Sequence, residues 1–145
     1  MSEHSDEHGH DNSLVRDHFL NPRNVGDFPD ADGVGVGVGV GVGEVGAVSC
    51  GDVMRISIRV RDGRVVEARF RTFGCGTAIA ASSVATELIC GRALEEVRRF
   101  SNEEVSAALG GLPPAKSHCP ILAEEAVRAA VEDYVRRQAV QRSTK

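Results

Sequence analysis

The clearest hydrophobic pattern lies at 53–61, where Met54, Ile56, Ile58 and Val60 alternate with Arg55, Ser57, Arg59 and Arg61. This is the two-residue period of a strand with one buried face. A second strand is predicted from Arg64 to Phe73. Its register can be argued, because directly opposed residues must point the same way. A two-residue turn at Asp62-Gly63 would set Ile58 against Glu67 and Ile56 against Arg69, mixing the two faces. A three-residue loop, Arg61 to Gly63 with Gly63 left-handed, sets Ile58 against Val66, Ile56 against Ala68 and Met54 against Phe70, and is preferred.

After Gly74-Cys75-Gly76, the run from Thr77 to Cys90 is helical in composition. It is rich in alanine, with Ile79, Val84, Leu88 and Ile89 as its larger apolar residues and Gly91 as its stop. Shorter helical pieces are expected near 93–99 and 102–109, before Gly110-Gly111 and Pro113-Pro114 break the chain. The last helix is predicted from Pro120, a favoured first helical residue, to about Gln138. Glu124/Arg128, Glu132/Arg136 and Asp133/Arg137 support it at i,i+4, and Ile121, Ala126, Ala129, Ala130 and Tyr134 line its buried stripe. Near the start, Ser13 is the expected N-cap of a short helix with Leu14, Val15 and Phe19 as its stripe, which Asn21-Pro22 ends.

Residues 33–43 alternate Gly and Val strictly. Alternation suggests a strand, yet glycine at every second position leaves one face with nothing to pack, so a mobile loop or an edge strand is expected. Strands first and helices after predict an α+β domain: a small antiparallel sheet of about three strands, helices on one face, and a long C-terminal helix. That domain spans 13–139, between tails at 1–12 and 140–145 read as disordered.

Composition narrows the classes of function. Of the 145 residues 41% are apolar and only 4% aromatic, so the core must be aliphatic. The net charge of −4 argues against nucleic acid, whose phosphates call for clustered Lys and Arg. The acidic excess sits in the first 33 residues, which hold eight acids against Arg16 and Arg23. No stretch has the length of a membrane span, and the opening lacks the basic and apolar regions of a signal peptide. A cytoplasmic protein is expected. In a reducing compartment its four cysteines suit metal or thiol chemistry better than disulfides.

No two cysteines have C-x-x-C spacing, so context must carry the signal. Cys50 precedes a strand, Cys75 precedes a helix between two glycines, and Cys119 precedes Pro120 at another helix start. All three are expected at turns that present the thiol. A helix N-terminus favours the thiolate that binds metals and attacks sulfur, which bears on Cys75 and Cys119. His118 adds a nitrogen and Asp52 an oxygen, giving the donor set of a soft-metal or cluster site. Cys90, beside Ile89 within a helix, reads as a small buried apolar residue. Arg55, Arg59, Arg61 and Arg69 form a basic strand face, read as ordinary solvated surface.

The chain resembles the IscU and NifU-type scaffold family of iron-sulfur cluster assembly. The resemblance rests on Asp17-His-Phe-Leu-Asn-Pro-Arg-Asn-Val-Gly26, Cys50-Gly-Asp52, Phe70-Arg-Thr-Phe-Gly-Cys-Gly76 with Ala78-Ile-Ala80, and Leu112-Pro-Pro-Ala-Lys-Ser-His-Cys119 with Ile121-Leu-Ala-Glu124. It implies a scaffold, not an enzyme, on which a cysteine desulfurase delivers persulfide sulfur, iron is added, and a [2Fe-2S] cluster forms before transfer to apo-proteins. It implies Cys50, Cys75 and Cys119 as cluster ligands with Asp52 and His118, Cys119 as persulfide acceptor, and zinc as an occupant of the isolated site. Lys116 matches a lysine beside that site. Leu112, Pro113, Pro114, Ala115 and Lys116 match the segment bound by a heat-shock-type chaperone that acts with a J-type co-chaperone. A frataxin-like protein and ferredoxin are further implied partners, and homo-oligomers remain open.

The chain departs from the family at Ala115, where valine is usual, at Val48, where proline is common, and in the Gly-Val run. The alternative function is a zinc-dependent sulfurtransferase that activates a cysteine desulfurase. Such relatives carry an insertion between the regions of Cys75 and Cys119, and none is present here.

Overall fold

A computed structural model describes residues 13–28, 30–38, 53–112 and 118–143. The elements run α1 (Ser13–Leu20), β1 (Gly33–Val38), β2 (Val53–Arg61), β3 (Arg64–Phe73), α2 (Gly76–Ile89), α3 (Leu94–Arg98), α4 (Asn102–Ala108) and α5 (His118–Ser143). The three strands form one antiparallel sheet in the order β1-β2-β3. The inward side chains of β2 and β3, Met54, Ile56, Ile58, Val65, Ala68 and Phe70, are buried with the inner faces of α2 and α5. The expected α+β architecture is therefore present.

The hairpin differs from the expected one in a way that explains itself. Arg61 pairs with Arg64, so the turn has two residues, and Asp62 and Gly63 both have positive φ (54° and 74°). This is the left-handed conformation of the tight hairpin turn. The mixing of faces that such a turn should cause is corrected by a bulge. Arg59 pairs with Glu67 and Val60 with Val65, which leaves Val66 unpaired and 44% exposed. Beyond it, Ile58 opposes Ala68 and Ile56 opposes Phe70. The bulge restores the parity that the three-residue loop was meant to supply.

The Gly-Val run forms β1 over 33–38, paired with β2; residues 39–43 lie outside the described residues. The glycine face is not empty. A Cβ on Gly33 would overlap the Ala130 carbonyl, and one on Gly35 would overlap the backbone of Ala126 and Ala130. Glycine lets the α5 backbone lie directly on the strand. The Val34 N–H donates to Asp133 Oδ2 at 2.9 Å. Burial would raise the Asp133 carboxyl, but that hydrogen bond and the guanidinium groups of Arg137 and Arg136 outweigh it and hold the group below its ordinary range.

The helix α5 begins before Pro120 and continues past Gln138. Its buried stripe is Leu122, Ala123, Ala126, Val127, Ala130 and Val131, while Ile121 is 44% exposed. Arg136 pairs with Asp133 rather than Glu132, whereas Glu124–Arg128 and Asp133–Arg137 form as expected. The arginine face of the sheet is solvated at Arg55 and Arg61, as expected, and partly covered at Arg59 and Arg69. Arg59 and Arg69 flank the buried Phe28 ring at 4.5 and 4.6 Å, and Asp27 pairs with Arg55 and Arg71.

Candidate functional site

Two helix N-termini meet at one edge of the core. Cys75 caps α2 with extended backbone (φ −78°, ψ 171°) at the end of the turn that leaves β3. That turn is tied down by hydroxyls. Ser82 donates to the Ala78 carbonyl at 2.9 Å, so Thr72 is the donor in the 2.5 Å contact between Thr72 Oγ1 and Ser82 Oγ. Cys119 sits in the first turn of α5, a helix held against the sheet by the β1 glycines. The two sulfurs are 4.0 Å apart, with Cys119 Sγ also 3.5 Å from His118 Nε2. A covalent disulfide would need about 2.05 Å, so no disulfide joins them. Both lie where helix dipoles favour negative charge.

Exposure departs from expectation at one of them. Cys75 is half-buried, but Cys119 is fully buried among the core residues, so its thiol is not presented to solvent. Pro120 next to it is also buried. The surroundings of Cys75 are open by contrast. Phe73 is 80% exposed, and Val15, Arg16, Phe19, Gly76 and Thr77 line a cavity of about 230 Å³ beside it. Cys50, Asp52, Pro113, Pro114, Ala115 and Lys116 lie outside the described residues, and Leu112 is half-buried at the edge of the core. Among the described residues no group of three or more candidate ligands is arranged to hold a metal ion.

Cys90 stands at the other end of α2 and is exposed, not buried as expected. Partial desolvation pushes its thiol above the ordinary range, opposed by the Ala68 backbone hydrogen bond and reinforced by the carboxylates of Glu67 and Glu87. A thiol kept protonated is a poor metal ligand.

Sequence reasoning missed the polar seam that docks α1. Leu14 and Phe19 of the expected stripe are each 45% exposed, and the buried residue is His18. Its Nδ1 lies 2.7 Å from Ser83 Oγ, which also accepts the Arg23 N–H at 2.9 Å, and Asn24 donates to Thr86 at 3.1 Å. Burial first, then Arg23, lowers the His18 pKa against the pull of Glu87 and Asp17. The available signal was a run of hydroxyls, Ser82, Ser83 and Thr86, inside an otherwise apolar helix.

A family model for the NifU-like N-terminal domain matches residues 10–141. The chain belongs to this family. This NifU-like domain is 50% identical over 123 residues to the iron-sulfur cluster assembly scaffold protein IscU 1 of Archaeoglobus fulgidus, covering 85% of the chain and 75% of that relative. It is 50% identical over 121 residues to the scaffold protein IscU of Escherichia coli, covering 83% and 90%. Its fold matches the N-terminal domain of a nitrogen-fixing NifU-like protein from Brucella abortus, with a TM-score of 0.64 at 19% identity over 87% of this chain and 94% of that one.

Proposed function

We propose that the chain is a scaffold on which a [2Fe-2S] cluster is built from iron and desulfurase-derived sulfur, then passed to apo-proteins. The observation that carries this is the 4.0 Å approach of Cys75 and Cys119, which are 44 residues apart in sequence and stand at two helix N-termini. Thiolates are the ligands of iron-sulfur clusters. At that separation the two thiolates would be able to hold the same cluster. The names of relatives at 50% identity support the same reading.

In this scheme Cys50 supplies the third thiolate, and Asp52 and His118 the exchangeable oxygen and nitrogen. Mixing harder or neutral donors with thiolates suits a site that must release its cargo. Cys119 takes the sulfur. Its thiolate attacks the outer sulfur of the desulfurase persulfide, the S–S bond there breaks, and the desulfurase cysteine leaves as thiolate. Because Cys119 is buried, the first turn of α5 must open when the donor docks. Leu112 to Lys116 is the segment for a heat-shock-type chaperone with its J-type co-chaperone. A frataxin-like protein and ferredoxin serve iron and electron supply, the work takes place in the cytoplasm, and zinc occupies the same donors when iron is absent.

Anaerobic reconstitution with iron, cysteine and a cysteine desulfurase tests the proposal, followed by visible absorption, iron and sulfide content, and addition of apo-ferredoxin. Cluster formation and transfer are expected. Stoichiometric zinc, no cluster and an accelerated desulfurase would establish a zinc-dependent sulfurtransferase instead.

A further inference from the structure

The Gly-Val run is the one sequence motif the site does not use, and the contacts of β1 are periodic. Gly33 and Gly35 lie against the α5 backbone. Between them Val34 is half-buried opposite Ser57 and donates its N–H to Asp133. The repeat continues without interruption to Gly43. Moving the strand by two residues puts Gly35 and Gly37 in the places of Gly33 and Gly35, and Val36 in that of Val34. Each contact is remade with an identical residue. A one-residue move is forbidden, because it drives valine side chains into the α5 backbone.

Gly-rich strands specify their register weakly for this reason. What holds it here lies outside the repeat. Asp32 donates its N–H to the Ile58 carbonyl at 2.8 Å and accepts from the Val60 N–H at 2.9 Å, and the Ala31 carbonyl accepts from Arg137 at 3.0 Å. Only one direction is open. In the opposite sense Ala31 takes the place of Gly33, where its Cβ would overlap the Ala130 carbonyl and crowd Tyr134.

We infer that β1 has a second register, two residues along the repeat, reached by releasing Asp32 and Ala31 while the contacts to β2 and α5 are remade. The step is about 7 Å of strand, and it shortens the connection between β1 and β2 by two residues. On the scaffold reading, on which only this consequence rests, that connection carries Cys50 and Asp52. The register then sets how much chain these ligands have with which to reach Cys75 and Cys119.

Paired cysteines read the register directly. In the observed register, Val36→Cys with Ser57→Cys and Val34→Cys with Arg55→Cys are both diagonal pairs. Diagonal Cα atoms are about 7–8 Å apart, beyond the ~6.8 Å limit of a disulfide. The slip brings the first pair face to face, and only a slip in the forbidden direction does so for the second. Under mild oxidation of the metal-free full chain, followed by peptide mapping, the first pair should crosslink more slowly than the directly opposed Val34→Cys/Ser57→Cys. Adding Asp32→Ala should speed it several-fold, and the second pair should stay unlinked. No crosslink in the first pair even with Asp32→Ala, or equal rates for both diagonals, would overturn the second register. Since the readout uses no iron, it stands or falls apart from cluster assembly.

Discussion

At its N-terminal end α2 carries Cys75, half-buried, with the Cys119 sulfur 4.0 Å away. At its C-terminal end it carries Cys90, exposed, whose thiol is pushed above its ordinary range by partial desolvation first and by Glu67 and Glu87 in addition. The helix is the same and the residue is the same. The dipole stabilises negative charge at the first end and disfavours it at the second, and the neighbours act in the same sense. On the proposed scaffold reading, exposure alone would rank the two thiols the wrong way round, since the more accessible one is the one kept protonated.

The strongest way to break the contrast is to remove the partner at the N-terminal end. Cys119→Ser should abolish the visible cluster chromophore and leave no persulfide on the chain after incubation with a desulfurase and cysteine, as mass spectrometry of the intact protein would record. A weaker perturbation acts through the seating of α5. Gly35→Ala inserts a Cβ into the backbone of Ala126 and Ala130, and overpacking of this kind costs about 1–3 kcal/mol. Urea unfolding should show that loss, with Cys75 alkylated faster in the native variant and Cys90 unchanged.

Acid should act on the N-terminal end through α1, whose Phe19 ring lies against Gly76. The folded pKa of His18 is below its ordinary 6.5, so the unfolded chain binds the extra proton first and stability falls as pH drops below about 6.5. The melting midpoint should decline by a few degrees between about pH 7 and 5.5, and His18→Gln should flatten that decline. The smallest effect belongs to Cys90. Its alkylation at neutral pH should be several-fold slower than that of an unperturbed cysteine, and Glu67→Gln should recover part of the rate.

Much of the molecule was legible because local rules and tertiary packing agree. The alternation at 53–61, the Gly91 stop and the placement of Cys75 before an alanine-rich helix all stand in the structure. The failures occur where one element depends on another. A bulge at Val66 cannot be read from a turn, because it corrects the parity of faces that exist only once the sheet packs. The glycines of β1 looked unsupported because their partner is the backbone of a helix about a hundred residues later. His18 was not among the residues expected to line the buried stripe of α1, and its burial depends on Ser83, 65 residues away. The same holds at the site. Cys75 and Cys119 were identifiable singly, but the burial of Cys119 follows from how deeply α5 sits on the sheet.

The most direct test compares the two ends of α2 under one protocol. Cys75→Ser and Cys90→Ser are reconstituted anaerobically in parallel with iron, cysteine and a desulfurase, and visible absorption is read against protein-bound iron. A full chromophore is expected in Cys90→Ser and none in Cys75→Ser. A cluster that survives in Cys75→Ser, or is lost in Cys90→Ser, would contradict that expectation.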